Sequence, residues 1–172
     1  MDGKTLDIRP LAAIDTQAFK EIRLKATLDS PIAILPTFDE EAQRTHEENL
    51  ARIQQTENQI VFGAFSDRQL IGIAGLRRES LLQVSHKATL WGVFVHPERR
   101  KEGIARQILA KLVSYARSAN VLQINLCVNA ENPRAQNLYR SLGFKSFGIE
   151  PRAVRIGERF FAEEHMVLRL DE

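Results

Sequence analysis

The spacing of apolar residues changes twice between Lys87 and Val128, and this constrains the fold more than any other feature of the chain. Lys87 to Val95 is rich in β-branched and aromatic residues and reads as a long strand. Ile104, Ala105, Ile108, Leu109, Leu112, Val113 and Ala116 then recur at helical spacing, opposite Arg106, Lys111 and Arg117. Gln123 to Val128 returns to a strand. A strand, a helix and a strand in succession require a crossover that leaves two strands parallel.

The flanking segments imply antiparallel pairing instead. Ile60 to Phe65 and Leu70 to Leu76 are apolar runs separated by Ser66-Asp67-Arg68-Gln69, the pattern of a hairpin. Thr5 to Arg9 reads as a short edge strand ended by Pro10, and Gly92 inside the third long strand marks a bulge. Helices are expected around Phe19 to Leu28, from Asp39 to about Thr56, and after Asn132, with Asn132 as N-cap, Pro133 at the first position and Gly143 past the end. Two closing strands part near Gly157-Glu158. The expected order is β-α-α-β-β-β-α-β-α-β-β, a mixed α/β fold in a single domain over residues 1–172.

Composition removes several function classes. The net charge of +2 is far from that of a dedicated nucleic-acid binder. No stretch approaches the roughly 20 apolar residues of a membrane span. Met1-Asp2-Gly3-Lys4-Thr5 lacks the apolar core of a secretory signal, so a cytoplasmic protein is expected. Cys127 is the sole cysteine and reads as core packing rather than as a nucleophile. The histidines at 46, 86, 96 and 165 show no metal-ligand spacing, and no metal is expected.

The turn from the third long strand into its helix is His96-Pro97-Glu98-Arg99-Arg100-Lys101-Glu102-Gly103-Ile104-Ala105. Unpaired amides at a helix N-terminus, with Gly103 allowing close approach and three basic residues nearby, form an anion site; an ordinary turn is the alternative. Neither G-x-x-x-x-G-K-[ST] nor G-x-G-x-x-G is present.

Arg100-x-x-Gly103-x-Ala105 resembles the R/Q-x-x-G-x-G/A signature of the GNAT superfamily of acetyltransferases. Asn132-Pro133-Arg134-Ala135-Gln136-Asn137-Leu138-Tyr139-Arg140-Ser141-Leu142-Gly143-Phe144 is similar to that family's N-x-x-A-x-x-L-Y-x-x-x-G-F block, about thirty residues on. The resemblance implies a mostly antiparallel sheet with one splayed parallel strand pair and helices on both faces. It implies acetyl-CoA as cosubstrate, with the pyrophosphate on amides across Arg100 to Ala105, including Gly103 and Ile104, and with Arg99 and Lys101 adding charge. The pantetheine arm would pair with the strand end at Phe94 and Val95 and touch Asn132. Tyr139 would be the general acid, protonating the leaving sulfur. The implied enzyme is an acyltransferase acting on a primary amine, a small molecule first and a peptide or protein amine second. Neither nucleic acid nor a membrane is an expected partner, and a homodimer is compatible with this picture.

Two points stay open in the sequence. An amine with pKa near 10.4 must lose its proton at neutral pH, at a cost of about 4.6 kcal/mol. The glutamate base of some family members falls near Thr89, which cannot serve, leaving Glu79, His86 or a water relay. The resemblance places acceptor selectivity in the loop Asp29 to Phe38, followed by acidic Asp39, Glu40 and Glu41, and in the basic loop Gly148 to Arg159. These two signals conflict. A cofactor-sensing module of the same fold, without catalysis, is the rival reading.

Overall fold

The structure, a computed structural model, describes residues 5–172; residues 1–4, part of the stretch read as lacking a signal core, lie outside them. β1 (Leu6–Pro10) pairs antiparallel with β2 (Gln59–Ser66), β2 with β3 (Gln69–Arg78), and β3 with β4 (Lys87–Val95). β5 (Gln123–Asn129) lies parallel to β4, and β7 (Arg159–Arg169) joins β5 antiparallel. β6 (Lys145–Ile156) closes the far edge against β7. The hairpin between β2 and β3 turns on Asp67 and Arg68, both left-handed with φ of 51° and 67°. Such a two-residue turn matches the natural twist of its strands.

Both faces of the sheet are covered, which explains the unbroken apolar runs of β2 and β3. On one face Phe62, Ala64, Ala74 and Leu76 pack with Ile108, Leu109 and Leu112 of α4 (Ile104–Ser118), and Tyr139 of α5 (Pro133–Ser141) joins the same cluster. On the other, Val61, Ile73 and Phe94 meet Phe19, Ile22 and Ala26 of α1 (Thr16–Asp29).

The expected helix from Asp39 to Thr56 is instead two: α2 (Phe38–Ala42) and α3 (His46–Ile53). Each starts on its own capping box. Thr37 accepts from Glu40 N–H at 3.2 Å, and Thr45 accepts from Glu48 N–H at 3.1 Å, while each glutamate accepts from its threonine's backbone N–H. The break also lets Glu41, fully buried, reach Arg52 at 2.5 Å and Arg23 at 3.4 Å.

The feature that makes room for a site is the β4–β5 seam. Its ladder has three rungs, Lys87–Gln123, Ala88–Ile124 and Thr89–Asn125, and then ends. Gly92 (φ 66°) forms the expected bulge, visible as a register shift opposite Ile73 to Gly75. A bulge bends the strand that carries it, and this one lies just past the last rung.

Candidate active site

Beyond Thr89 and Asn125 the diverging strands enclose a cleft of about 410 Å³. Leu90 to Val95 line one wall, and Leu126 to Asn129 with Glu163 line the other. Arg99, Arg100, Lys101, Gly103, Ile104, Ala105 and Arg106 border it, as do Ser30, Ile32 and Ala33 from the loop after α1. Helix α5 contributes Arg134, Ala135, Leu138 and Tyr139, with Asn132 just ahead of it. Every residue expected at the cofactor therefore meets in one cavity with Tyr139. Glu79 and His86 do not. Glu79 N–H donates to the Lys87 carbonyl at 3.3 Å, and the His86 carbonyl accepts from Leu122 N–H at 2.7 Å, both at the laddered end of the seam.

The loop owes its shape to two left-handed residues, Lys101 (φ 67°) and Gly103 (φ 75°). Gly103 is the N-cap of α4, and Gln107 N–H donates to its carbonyl at 3.1 Å. The amides of Ile104, Ala105 and Arg106 precede that first helical bond and need outside acceptors. A Cβ on Gly103 would meet nothing within 4 Å, so the space beside this backbone is open to a ligand. Two of the three basic side chains are engaged within the protein. Arg99 pairs with Glu102 at 2.9 Å, and Arg100 pairs with Asp29 while its Nε donates to the Val95 carbonyl at 3.0 Å. The loop offers an anion its amides and Lys101 first.

Asn132 is the expected N-cap: its Oδ1 accepts from Ala135 N–H at 3.2 Å, leaving its side-chain NH2 for a ligand. Tyr139 is 8% exposed and meets Phe144 edge-on, with ring centroids 5.8 Å apart. Burial holds its phenol above the ordinary value, so it is neutral at physiological pH.

The cleft and its rim also contain residues whose placement the sequence did not reveal. Trp91 lies against Gly75, where a Cβ would stand 2.3 Å from the indole, so only glycine admits the ring there. Asn129 is 2% exposed; its Nδ2 donates to the Ile32 carbonyl at 3.3 Å and its Oδ1 accepts from Glu131 N–H at 2.8 Å. Cys127, read as core, is exposed, because strand alternation turns it away from the α4 face. Its Sγ lies 3.5 Å from His165 Nδ1, and His165 Nε2 lies 3.1 Å from Glu150. Burial, with Glu163 and Glu150 nearby, raises the thiol's pKa and keeps it protonated. The available signal was the two-residue period of β7, which puts Glu163 and His165 on one face, while their pairing with Asn129 and Cys127 is set by the fold.

Two of the three acids expected to attract an amine are otherwise occupied. Glu40 caps Thr37, and Glu41 is enclosed by arginines. In the closing hairpin Arg152 stacks on Phe160 at 3.8 Å, and Arg159 pairs with Glu131 at 3.2 Å.

The model of the acetyltransferase (GNAT) family matches residues 24–144. N-alpha-acetyltransferase RimI of Mycobacterium tuberculosis is 33% identical over 94 residues, covering 55% of this chain and 57% of that protein. L-amino acid N-acyltransferase MnaT of Escherichia coli is 29% identical over 80 residues, 46% of each. The chain thus spans about half the length of these curated relatives. The structure of yncA from Salmonella typhimurium, solved with its cofactor acetyl-CoA, superposes with a TM-score of 0.86 at 23% identity, covering 98% of this chain and 95% of that one. The family match runs without interruption from α1 through the seam and the loop to Phe144, and on that extent the chain belongs to the GNAT family of acetyltransferases.

Proposed function

We propose that the protein transfers the acetyl group of acetyl-CoA to a primary amine by direct attack, with Tyr139 donating to the departing sulfur. When bound, acetyl-CoA supplies an acetyl group activated as a thioester. The observation that carries the reading is the continuity of one cleft: amides of the Lys101–Arg106 loop, strand edges of Leu90 to Val95 released from their ladder, and the buried Tyr139 phenol. The loop amides and Lys101 suit a diphosphate. The freed backbone groups suit an amide-bearing arm, and a backbone N–H near Val95 suits the oxygen that gains charge during transfer. Because burial raises the Tyr139 pKa, the phenol serves as a neutral hydrogen-bond donor and yields its proton only as the carbon–sulfur bond breaks.

The acceptor side, walled by Trp91, Ile32, Ala33 and Asn129, favours a small-molecule amine, and the name of MnaT supports an amino acid among such amines. The name of RimI supports a peptide amine as the second choice. A cytoplasmic setting goes with this reading. The test is release of CoA from acetyl-CoA over a panel of amines and peptides, with the products weighed by mass spectrometry. Binding of acetyl-CoA without turnover on any acceptor would instead favour the non-catalytic sensor.

A further inference from the structure

Among the described residues lining the cleft, Glu163 is the lone carboxylate. It sits on β7 between Asn129 of β5 and Glu150 of β6, in register with both. The acids around it have partners: Glu164 with Arg140 at 2.8 Å, Glu150 with His165 at 3.1 Å, and Glu131 with Arg159 at 3.2 Å. No hydrogen bond or ion pair among the described residues engages the Glu163 carboxylate. A half-buried carboxylate with no hydrogen bond or ion pair, beside a second carboxylate, is costly for the folded protein and is relieved by a bound cation or a proton. It is the cavity, more than the pair of acids, that indicates what arrives there, since Glu163 lines the same cleft as Tyr139 and the loop amides.

We infer that Glu163 receives the acceptor's ammonium group and takes its proton, acting as the base that neither Thr89, Glu79 nor His86 provides. The inference rests on the acetyltransfer reading above and names the group that completes it. The proton moves from R–NH3+ to a Glu163 oxygen, leaving R–NH2 with its lone pair. That pair forms the nitrogen–carbon bond as the carbon–sulfur pair leaves on sulfur. The nitrogen then sheds a second proton, which balances the one delivered to sulfur through Tyr139, and Glu163 returns its proton to solvent. Overall, ammonium and thioester give amide, thiol and one proton.

Position also tunes the group. Burial first, and then Glu150, raises the Glu163 pKa, while His165 opposes. A raised carboxylate is a better match for a base working near neutrality than an ordinary one near 4.3. Cys127 of β5 also interacts with it electrostatically, and the other charged or titratable groups lining the cleft are Arg134 and Tyr139 of α5 with Arg99, Arg100, Lys101 and Arg106.

The experiment uses the full chain, acetyl-CoA and two amine probes, propylamine and 2,2,2-trifluoroethylamine. The nitrogen of the second is already unprotonated at neutral pH. Glu163→Gln is expected to lower kcat with propylamine by about 100-fold while retaining acetyl-CoA affinity, and to lose far less with trifluoroethylamine. Its propylamine rate should recover as pH rises toward the amine's own pKa, and Glu163→Asp should restore part of it. Equal losses with both probes would assign Glu163 a purely structural role, and unchanged kinetics would remove it from the reaction; either overturns the inference and leaves the acetyltransfer reading standing. A wild-type protein that binds acetyl-CoA but turns over neither probe nor any other amine defeats both.

Discussion

Asn129 Nδ2 donates to the Ile32 carbonyl at 3.3 Å, so the last residue of β5 holds the loop after α1 beside the cleft. Under the proposed function, the bond links the strand edge that would meet the cofactor to the loop that would meet the acceptor. Asn129→Ala should raise the amine KM roughly tenfold while acetyl-CoA affinity stays within about twofold. Loss of a buried polar pair should also cost about 1–3 kcal/mol of stability. Steady-state kinetics and a denaturant titration read the two effects separately, and an unchanged KM would show that the loop is held by other contacts.

Gly103 keeps the α4 amides open. Gly103→Val places a branched side chain in the left-handed region, at about 1–2 kcal/mol, and directs its bulk into the open space beside the loop. Acetyl-CoA affinity should fall at least tenfold by calorimetry. Normal affinity in the folded variant would contradict the placement of the diphosphate.

Tyr139→Phe removes one oxygen from a buried ring. Turnover should drop by about 100-fold, with acetyl-CoA affinity nearly unchanged. The variant should remain folded, because the contact with Phe144 is between rings.

Glu41 ties α2 to Arg23 of α1 and Arg52 of α3. Glu41→Gln leaves buried guanidinium groups without their counter-charge and should cost about 3–5 kcal/mol. Burial alone would raise this carboxyl, but hydrogen bonds and charge from Arg52 and Arg23 outweigh it and hold the pKa below the ordinary value. A depressed folded pKa contributes stability that is complete above the unfolded value near 4.3 and is lost as pH falls through the lower folded value. Calorimetric Tm should therefore fall more steeply below about pH 4 in the wild type than in the variant.

The thiol of Cys127 lines the cleft and burial keeps it protonated, which disfavours it as a nucleophile; the proposed direct attack passes through no acetyl-cysteine. Cys127→Ser should retain turnover within about threefold. A mass adduct on Cys127 after a rapid quench would contradict direct attack.

Residues whose role is local were legible in the sequence. Gly103, Asn132 and Pro133 act through their own backbone and through neighbours a few positions away, so a short pattern suffices to place them. The seam was also legible, because a change of hydrophobic period forces the parallel pair. Other features depend on register between distant segments. Glu163 becomes a cleft residue only once β7 pairs with β5 at Asn129, and nothing near it in the chain announces that pairing. Cys127 looked apolar among apolar neighbours, because Leu126 and Val128 belong to the opposite face of the strand. The division of the second helix was readable in Thr37-x-x-Glu40 and Thr45-x-x-Glu48, two start signals eight residues apart. Its consequence, the burial of Glu41, was not.

The three-rung seam makes the sheet an unfinished object. β1 to β4 and β5 to β7 are two half-sheets fastened at one end, and the remainder of their junction is completed by whatever lies between them. A molecule laid along Leu90 to Val95 is then part of the architecture for as long as it stays. Amide exchange at the cleft-facing edges should slow when CoA binds and quicken when it leaves. Each catalytic cycle would mend and reopen the same stretch of sheet, with product release as the moment of unzipping.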